Sequence, residues 1–162
     1  MTTLDRAYAL SGSTLVSFNP AAPAVGTSIP VTGLTAGQTL VGIDFRPANG
    51  VLYGLGVNSA ANTATLYTIS VLTGVATVVG SFGPFVELDL STALGFGFDF
   101  NPVVDRIRVT TDTGENFRIN PNNGTLAGLD PMITPAGSEI SGAAYTNNET
   151  TNGGVTTLYT LD

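Results

Sequence analysis

The chain contains no cysteine and no histidine, and its five cations are all arginine, so lysine is missing too. Without cysteine there is no disulfide, no thiolate nucleophile and no Cys-ligated metal. Without histidine and lysine, one chain can hold no imidazole base, no Schiff-base amine and no Ser–His relay. Any catalysis would rest on carboxylates, hydroxyls, tyrosine and arginine, and no cofactor is implied. Charge is scarce as well, at 10% of residues, with a net charge of −7. Arg6, Arg46, Arg106, Arg108 and Arg118 are too few and too scattered to follow a phosphate backbone, which excludes nucleic acid and anionic membranes as expected partners. No apolar run reaches the roughly 18–20 residues that span a bilayer. No charged-then-apolar leader opens the chain, which fits a mature form, an excised piece or a cytoplasmic protein. Polar and charged helix formers are rare: lysine is absent and glutamine occurs once, at Gln38.

What remains is apolar and turn-rich. Hydrophobic residues make up 43% of the 162, with 20 glycines and 9 prolines. That is too apolar for disorder and reads as one all-β domain of short strands and many turns. Apolar/polar alternation predicts strands at Arg6–Ser11, Thr14–Asn19 and Thr27–Thr32. Pro20 and Pro23 are expected to end the second, and Pro30 suits an edge strand. Four strands follow at Leu40–Arg46, Val51–Val57, Thr65–Ser70 and Val75–Gly80. Four more lie at Gly95–Asn101, Arg106–Thr111, Asn116–Asn120 and Thr125–Leu129, and two at Ile140–Thr146 and Thr156–Asp162.

These segments repeat. Gly42-Ile43-Asp44-Phe45, Gly97-Phe98-Asp99-Phe100 and Gly142-Ala143-Ala144-Tyr145 align. So do Ala7-Tyr8-Ala9-Leu10, Leu52-Tyr53-Gly54-Leu55 and Leu158-Tyr159-Thr160-Leu161, with Ile107-Arg108-Val109 as the divergent copy. Phe18-Asn19, Ile69-Ser70 and Ile119-Asn120 form a third set. A period of roughly 50 residues with four short strands is the signature of propeller blades. A sheet apolar on both faces must stack between two neighbours, and the near-continuous apolarity of Leu40–Phe45 and Leu94–Phe100 fits innermost strands covered on both sides.

With blade strands labelled A to D outward, the chain reads B-C-D, A-B-C-D, A-B-C-D, A-B. That is about three blades, whereas propeller rings hold about four to eight. The expectation is a β-propeller of four-stranded antiparallel blades forming one half-ring domain over residues 1–162. Its blades fall at 6–33 completed by 140–146, at 40–80 and at 94–130, with an extra strand at 156–162. Two chains would exchange terminal strands to close a six-bladed C2 ring. Thr156–Asp162 then competes with Arg6–Ser11 for one place in the joined blade.

The stretches TLVGIDFRPANGVLYGLGVN, ATLYTISVLTG, GFGFDFNPVVDRIRVTTDTGENFRINPNNG and AAYTNN resemble a bacterial family described only as a domain of unknown function with propeller-type repeats. The resemblance covers nearly the whole chain, and GFDFNPVVDRIRV is specific. Family members run on for further blades, so this chain resembles a shortened version. The resemblance implies a fold and no established activity. A secreted or cell-surface bacterial location is expected.

Asp44 and Asp99 occupy equivalent places on inner strands. They could line an axial cation site, but Ala144 breaks the ring. The expected role is structural: accepting backbone N–H bonds, or pairing with Arg46, Arg106 or Arg108 between blades. These five residues are the blade-locking candidates. Asp112-Thr113-Gly114-Glu115 lacks the alternating ligands of a calcium loop and reads as a hairpin turn. Glu87, Asp89, Glu115, Glu139 and Glu149 lie in connectors with no spacing that pairs two across a cleft, so glycoside hydrolysis is disfavoured. Asn123-Gly124-Thr125 and Asn148-Glu149-Thr150 match the glycosylation pattern in turns and carry no functional reading. The repeat-registered tyrosines read as packing between blades, with sugar stacking as the alternative. Ile140, Ala143, Tyr145, Tyr8, Leu158 and Tyr159 are the assembly candidates, the chain's expected partner being a second copy of itself. The expected function is a non-enzymatic scaffold or binding surface. A lectin-like or small-ligand-binding propeller is the alternative, and a carboxylate hydrolase the third and weakest reading.

Overall fold

A computed structural model describes residues 6–135, 137–149 and 154–162. They form thirteen strands in four antiparallel sheets, and no α-helix occurs among the described residues. Sheet 1 holds β1 (Ala7–Ser11), β2 (Thr14–Asn19) and β3 (Ala22–Pro30). Sheet 2 holds β4 (Thr39–Phe45), β5 (Leu52–Asn58), β6 (Thr63–Ile69) and β7 (Ala76–Phe82). Sheet 3 holds β8 (Phe96–Asn101), β9 (Arg106–Thr111), β10 (Asn116–Ile119) and β11 (Leu126–Leu129). Sheet 4 is a hairpin of β12 (Gly142–Tyr145) and β13 (Leu158–Leu161). Each sheet is a meander, because short Gly/Asn/Pro turns join successive antiparallel strands. The glycosylation-like motif ending at Thr150 runs outside the described residues.

The sheets are bound to one another through their first strands: β4 lies against β8, and β8 against β12. Alternation gives each middle sheet two apolar faces. One face of sheet 2 carries Leu52, Tyr67 and Ile69 and packs on Leu15 of sheet 1. The other carries Tyr53, Leu55 and Leu66 and packs on Phe98, Phe100, Val109 and Phe117 of sheet 3. Two clusters of buried residues result, one on each side of sheet 2.

Two strand readings are corrected. β3 begins at Ala22 and runs through Pro23, which the sequence reading placed in a strand-ending break. It is the outermost strand of sheet 1, so the missing N–H of Pro23 or Pro30 can face the open side at little cost. The strand covered on both faces is β5, buried from Leu52 to Val57, while β4 is mostly half-buried. β4 has a hydrogen-bonded neighbour on one side alone, whereas β5 has strands on both sides and sheets on both faces. Within the chain, β12 pairs with β13 along its length, from Gly142 opposite Leu161 to Tyr145 opposite Leu158. β1 pairs with β2 and is not joined to β12 in this chain.

Close approach of the sheets depends on the repeated glycine. A Cβ on Gly42 would lie 2.5 Å from Phe98 Cβ of the next sheet, and one on Gly97 would lie 2.6 Å from Ala143 Cβ of sheet 4. Gly142 has no such neighbour; its nearest is Leu161 Cβ at 3.6 Å. Gly42→Ala and Gly97→Ala should therefore each destabilise by about 1–3 kcal/mol through overpacking. Gly142→Ala should stay within about 0.5 kcal/mol in dilute solution. Urea denaturation of the three variants checks this.

Candidate functional site

The carboxylates of Asp44 and Asp99 sit where consecutive sheets meet. Strand alternation turns both toward the following sheet, together with Gly42 and Gly97. Asp44 Oδ2 accepts the backbone N–H of Phe100 at 2.8 Å, and Asp99 Oδ2 accepts that of Tyr145 at 2.6 Å. Phe100 and Tyr145 are repeat equivalents, so one bond is made twice. The equivalent N–H in sheet 2 is that of Phe45. Sheet 1 has no inner strand among the described residues, and Asp44 fills the role itself: its Oδ1 accepts Phe45 N–H at 2.7 Å. Asp44 thus holds its own strand and the next.

The two carboxyls also meet each other. Burial pushes both upward; for Asp99 the charge of Asp44 adds to this, while backbone N–H bonds pull both down. Asp99 is pushed up to about 7. Each carboxylate also has an oxygen bonded to a main-chain N–H.

The arginines do not pair with Asp44 or Asp99. Arg46 grips Asp105, in the β8–β9 turn of sheet 3, through two parallel bonds, with Nε to Oδ1 at 2.8 Å. It also donates to Asn122 Oδ1 at 2.7 Å and to Tyr53 OH at 3.3 Å. The Asp105 bonds raise its pKa further. Arg108 donates to Asp130 Oδ2 at 2.5 Å, to Asn116 Oδ1 at 2.7 Å and to Tyr145 OH at 3.3 Å. Arg118 forks onto the same Asp130 at 2.8 and 3.0 Å. Burial of Asp130 is outweighed by these two guanidiniums, which hold its pKa below the usual range. Arg106 donates to its neighbour's carbonyl, Asp105 O, at 2.8 Å. From the sequence Asp105 and Asp130 read as blade-edge loop carboxylates facing solvent, and Arg118 and Asn122 carry no site reading; both aspartates are instead ion-paired. Asp105 is a turn residue whose reach to Arg46 depends on how sheets 2 and 3 stack.

Of the assembly candidates, five serve contacts within the chain or lie part-buried. Ile140 is buried and Ala143 packs on Gly97. Tyr145 meets Asp99 and Arg108, and Tyr8 packs edge-on against Phe45, centroids 5.4 Å apart. Leu158 is half-buried, and Tyr159 is 63% exposed. Asp112 accepts Leu94 N–H with both oxygens at 3.1 and 3.2 Å, tying down the entry to β8. Glu115 Oε1 accepts Asp89 N–H at 3.1 Å.

A hollow of about 470 Å³ opens where the strands enter the shared edge, lined by Leu10, Thr39, Val41, Leu94, Phe96 and Ser141 from all four sheets or their flanks. A second of about 400 Å³ adjoins it, sharing Thr39, Val41 and Phe96 and adding Asn58 and Ser59. Neither has a charged lining residue.

The chain belongs to the family described as a domain of unknown function, DUF4394, whose profile matches residues 14–162. No curated protein matches it.

The raised pKa values of Asp44 and Asp99 set a pH dependence. Unfolded aspartate titrates near about 3.9. Both folded pKa values are raised, so the folded state binds more protons, and this contribution is full below that pH and lost as pH rises toward about 7. Asp99→Asn keeps an acceptor for Tyr145 N–H and removes the charge. It should flatten the decline of stability between about pH 4 and 7, read as the denaturation midpoint against pH. Asp44→Ala strands two backbone N–H groups and should cost about 2–4 kcal/mol.

Proposed function

We propose that this domain is a non-enzymatic β-propeller module, a scaffold or binding surface, whose sheets are blades and which assembles with a second copy of itself. The observation that carries the reading is the repeated fastening of one sheet to the next by Asp44 and Asp99, with open sheets at both ends of the row. The carboxylates of Asp44 and Asp99 bind main-chain N–H groups, and Arg46, Arg108 and Arg118 bind turn and edge aspartates. Stacked four-stranded sheets meeting along their first strands are what a propeller requires. The six-bladed ring expected from strand counting needs β12 to leave β13 and pair with β1 of another chain.

A second reading, a small-ligand propeller, is favoured by the uncharged hollow at the shared edge. Hydroxyls of Thr39, Ser59 and Ser141 beside Val41 and Phe96 suit a neutral, partly apolar molecule such as a sugar.

Sedimentation equilibrium tests the assembly reading: a species heavier than the 16.5 kDa chain is expected. A well-folded monomer at tens of micromolar would sink it. A thermal-shift panel of neutral saccharides tests the second reading, since a ligand selective for the native state raises the melting temperature. Thr39→Val should abolish any such shift.

A further inference from the structure

The two ends of the row of sheets carry complementary faces. On sheet 2, the face bearing Gly42, Asp44, Tyr53 and Leu55 is covered by sheet 3, and Tyr53 and Leu55 are buried. The repeat equivalents on the terminal hairpin are Gly142, Ala144, Tyr159 and Leu161. Pairing of Gly142 with Leu161 and Ala144 with Tyr159 puts all four on one side. That side faces away from sheet 3: Tyr159 is 63% and Leu161 66% exposed, and Ala144 is exposed. It is an apolar forward face with no sheet in front of it among the described residues.

Sheet 1 shows the converse. Its forward side, with Tyr8, Leu10 and Leu15, packs on sheet 2. Its rear side carries Ala7, Ala9, Val16 and Phe18, because Ala7 pairs with Phe18 and Ala9 with Val16. Val16 and Phe18 stand at the places of Tyr67 and Ile69 in sheet 2 and of Phe117 and Ile119 in sheet 3. All four of those are buried against the preceding sheet. Val16 and Phe18 are half-buried and belong to neither core cluster, and Ala9 is exposed.

We infer that the forward face of β12–β13 docks on the rear face of sheet 1 of a second copy, sheet on sheet, without exchange of strands. This rests on the assembly reading above and names its joint. The pattern of carboxylates supports it. Asp44 serves the inner strand of sheet 3, and Asp99 serves that of sheet 4. Sheet 1 has no inner strand among the described residues, so the sheet behind it needs no carboxylate, and the residue at that position is Ala144. Exchange of β12 for β13 would instead lay Val16 and Phe18 over the Arg108–Asp130–Arg118 network of sheet 3, an apolar-on-charged contact. Two copies related by a twofold axis make both joints at once and leave neither face open.

Leu161→Arg and Ala9→Arg each spoil one of the two faces at an exposed position, so the fold should survive, as circular dichroism would show. Each variant alone should weaken the homodimer at least about tenfold in Kd, because both joints contain a spoiled face. Mixed in equal amounts, they should form a heterodimer, since the intact hairpin of the Ala9→Arg chain meets the intact rear face of the Leu161→Arg chain. Analytical ultracentrifugation reads all three samples. A dimer unmoved by either variant, or one weakened by both and not restored on mixing, overturns the joint and leaves the assembly reading standing. Loss with Ala9→Arg but none with Leu161→Arg identifies strand exchange and also overturns it. A monomeric unsubstituted chain defeats the assembly reading itself.

Discussion

Two oxygens of one carboxylate connect two sheets in this protein. Asp44 Oδ1 holds the N–H of its own strand and Oδ2 the N–H of the strand in front. β4 and β8 run along the open edges of their sheets, where main-chain donors have no strand partner on one side. A donor left there, half-buried between apolar faces, would cost about 1–3 kcal/mol. The aspartate satisfies it and fixes the offset between sheets. The rest follows from that spacing: glycine behind Asp44 and Asp99 so that Phe98 and Ala143 fit, and Tyr53 edge-on to Phe100 at 5.3 Å. The cost is electrostatic: burial, and for Asp99 the nearby charge of Asp44, raise the pKa of both carboxyls.

The arginines act farther out. Arg46 ties sheet 2 to the β8–β9 turn of sheet 3, and Asp130 gathers Arg108 and Arg118 within sheet 3. Their forked geometry sets direction as well as distance, which lysine could not reproduce. The sheets therefore have an apolar interior, a carboxylate fastening along the shared edge and a guanidinium fastening toward the periphery.

The strands and their repeat were legible because a period of two and the recurring Gly-x-Asp-Phe unit are local signals. Asp44 and Asp99 stood out for the same reason. Their acceptance of main-chain N–H groups was one of two structural readings open beforehand; their approach to each other was not read, although equivalent residues on neighbouring repeats must lie near one another. The Arg46–Asp105 pair was hidden because it joins a strand end to a turn in another sheet, and nothing in the spacing of 46 and 105 reports that. β3 was cut short at Pro23 because a proline argues against a strand unless its outer edge is free. The inner–outer order of Ile140–Thr146 and Thr156–Asp162 was legible from the repeat, and within the chain the two strands pair as a hairpin.

Each fastening carboxylate points one way along the row, toward the sheet that comes next in the chain. A four-strand segment such as 94–130 therefore carries both halves of a latch: an N–H to be caught by its predecessor and an acid to catch its successor. The latch is missing where the acid is replaced, as at Ala144.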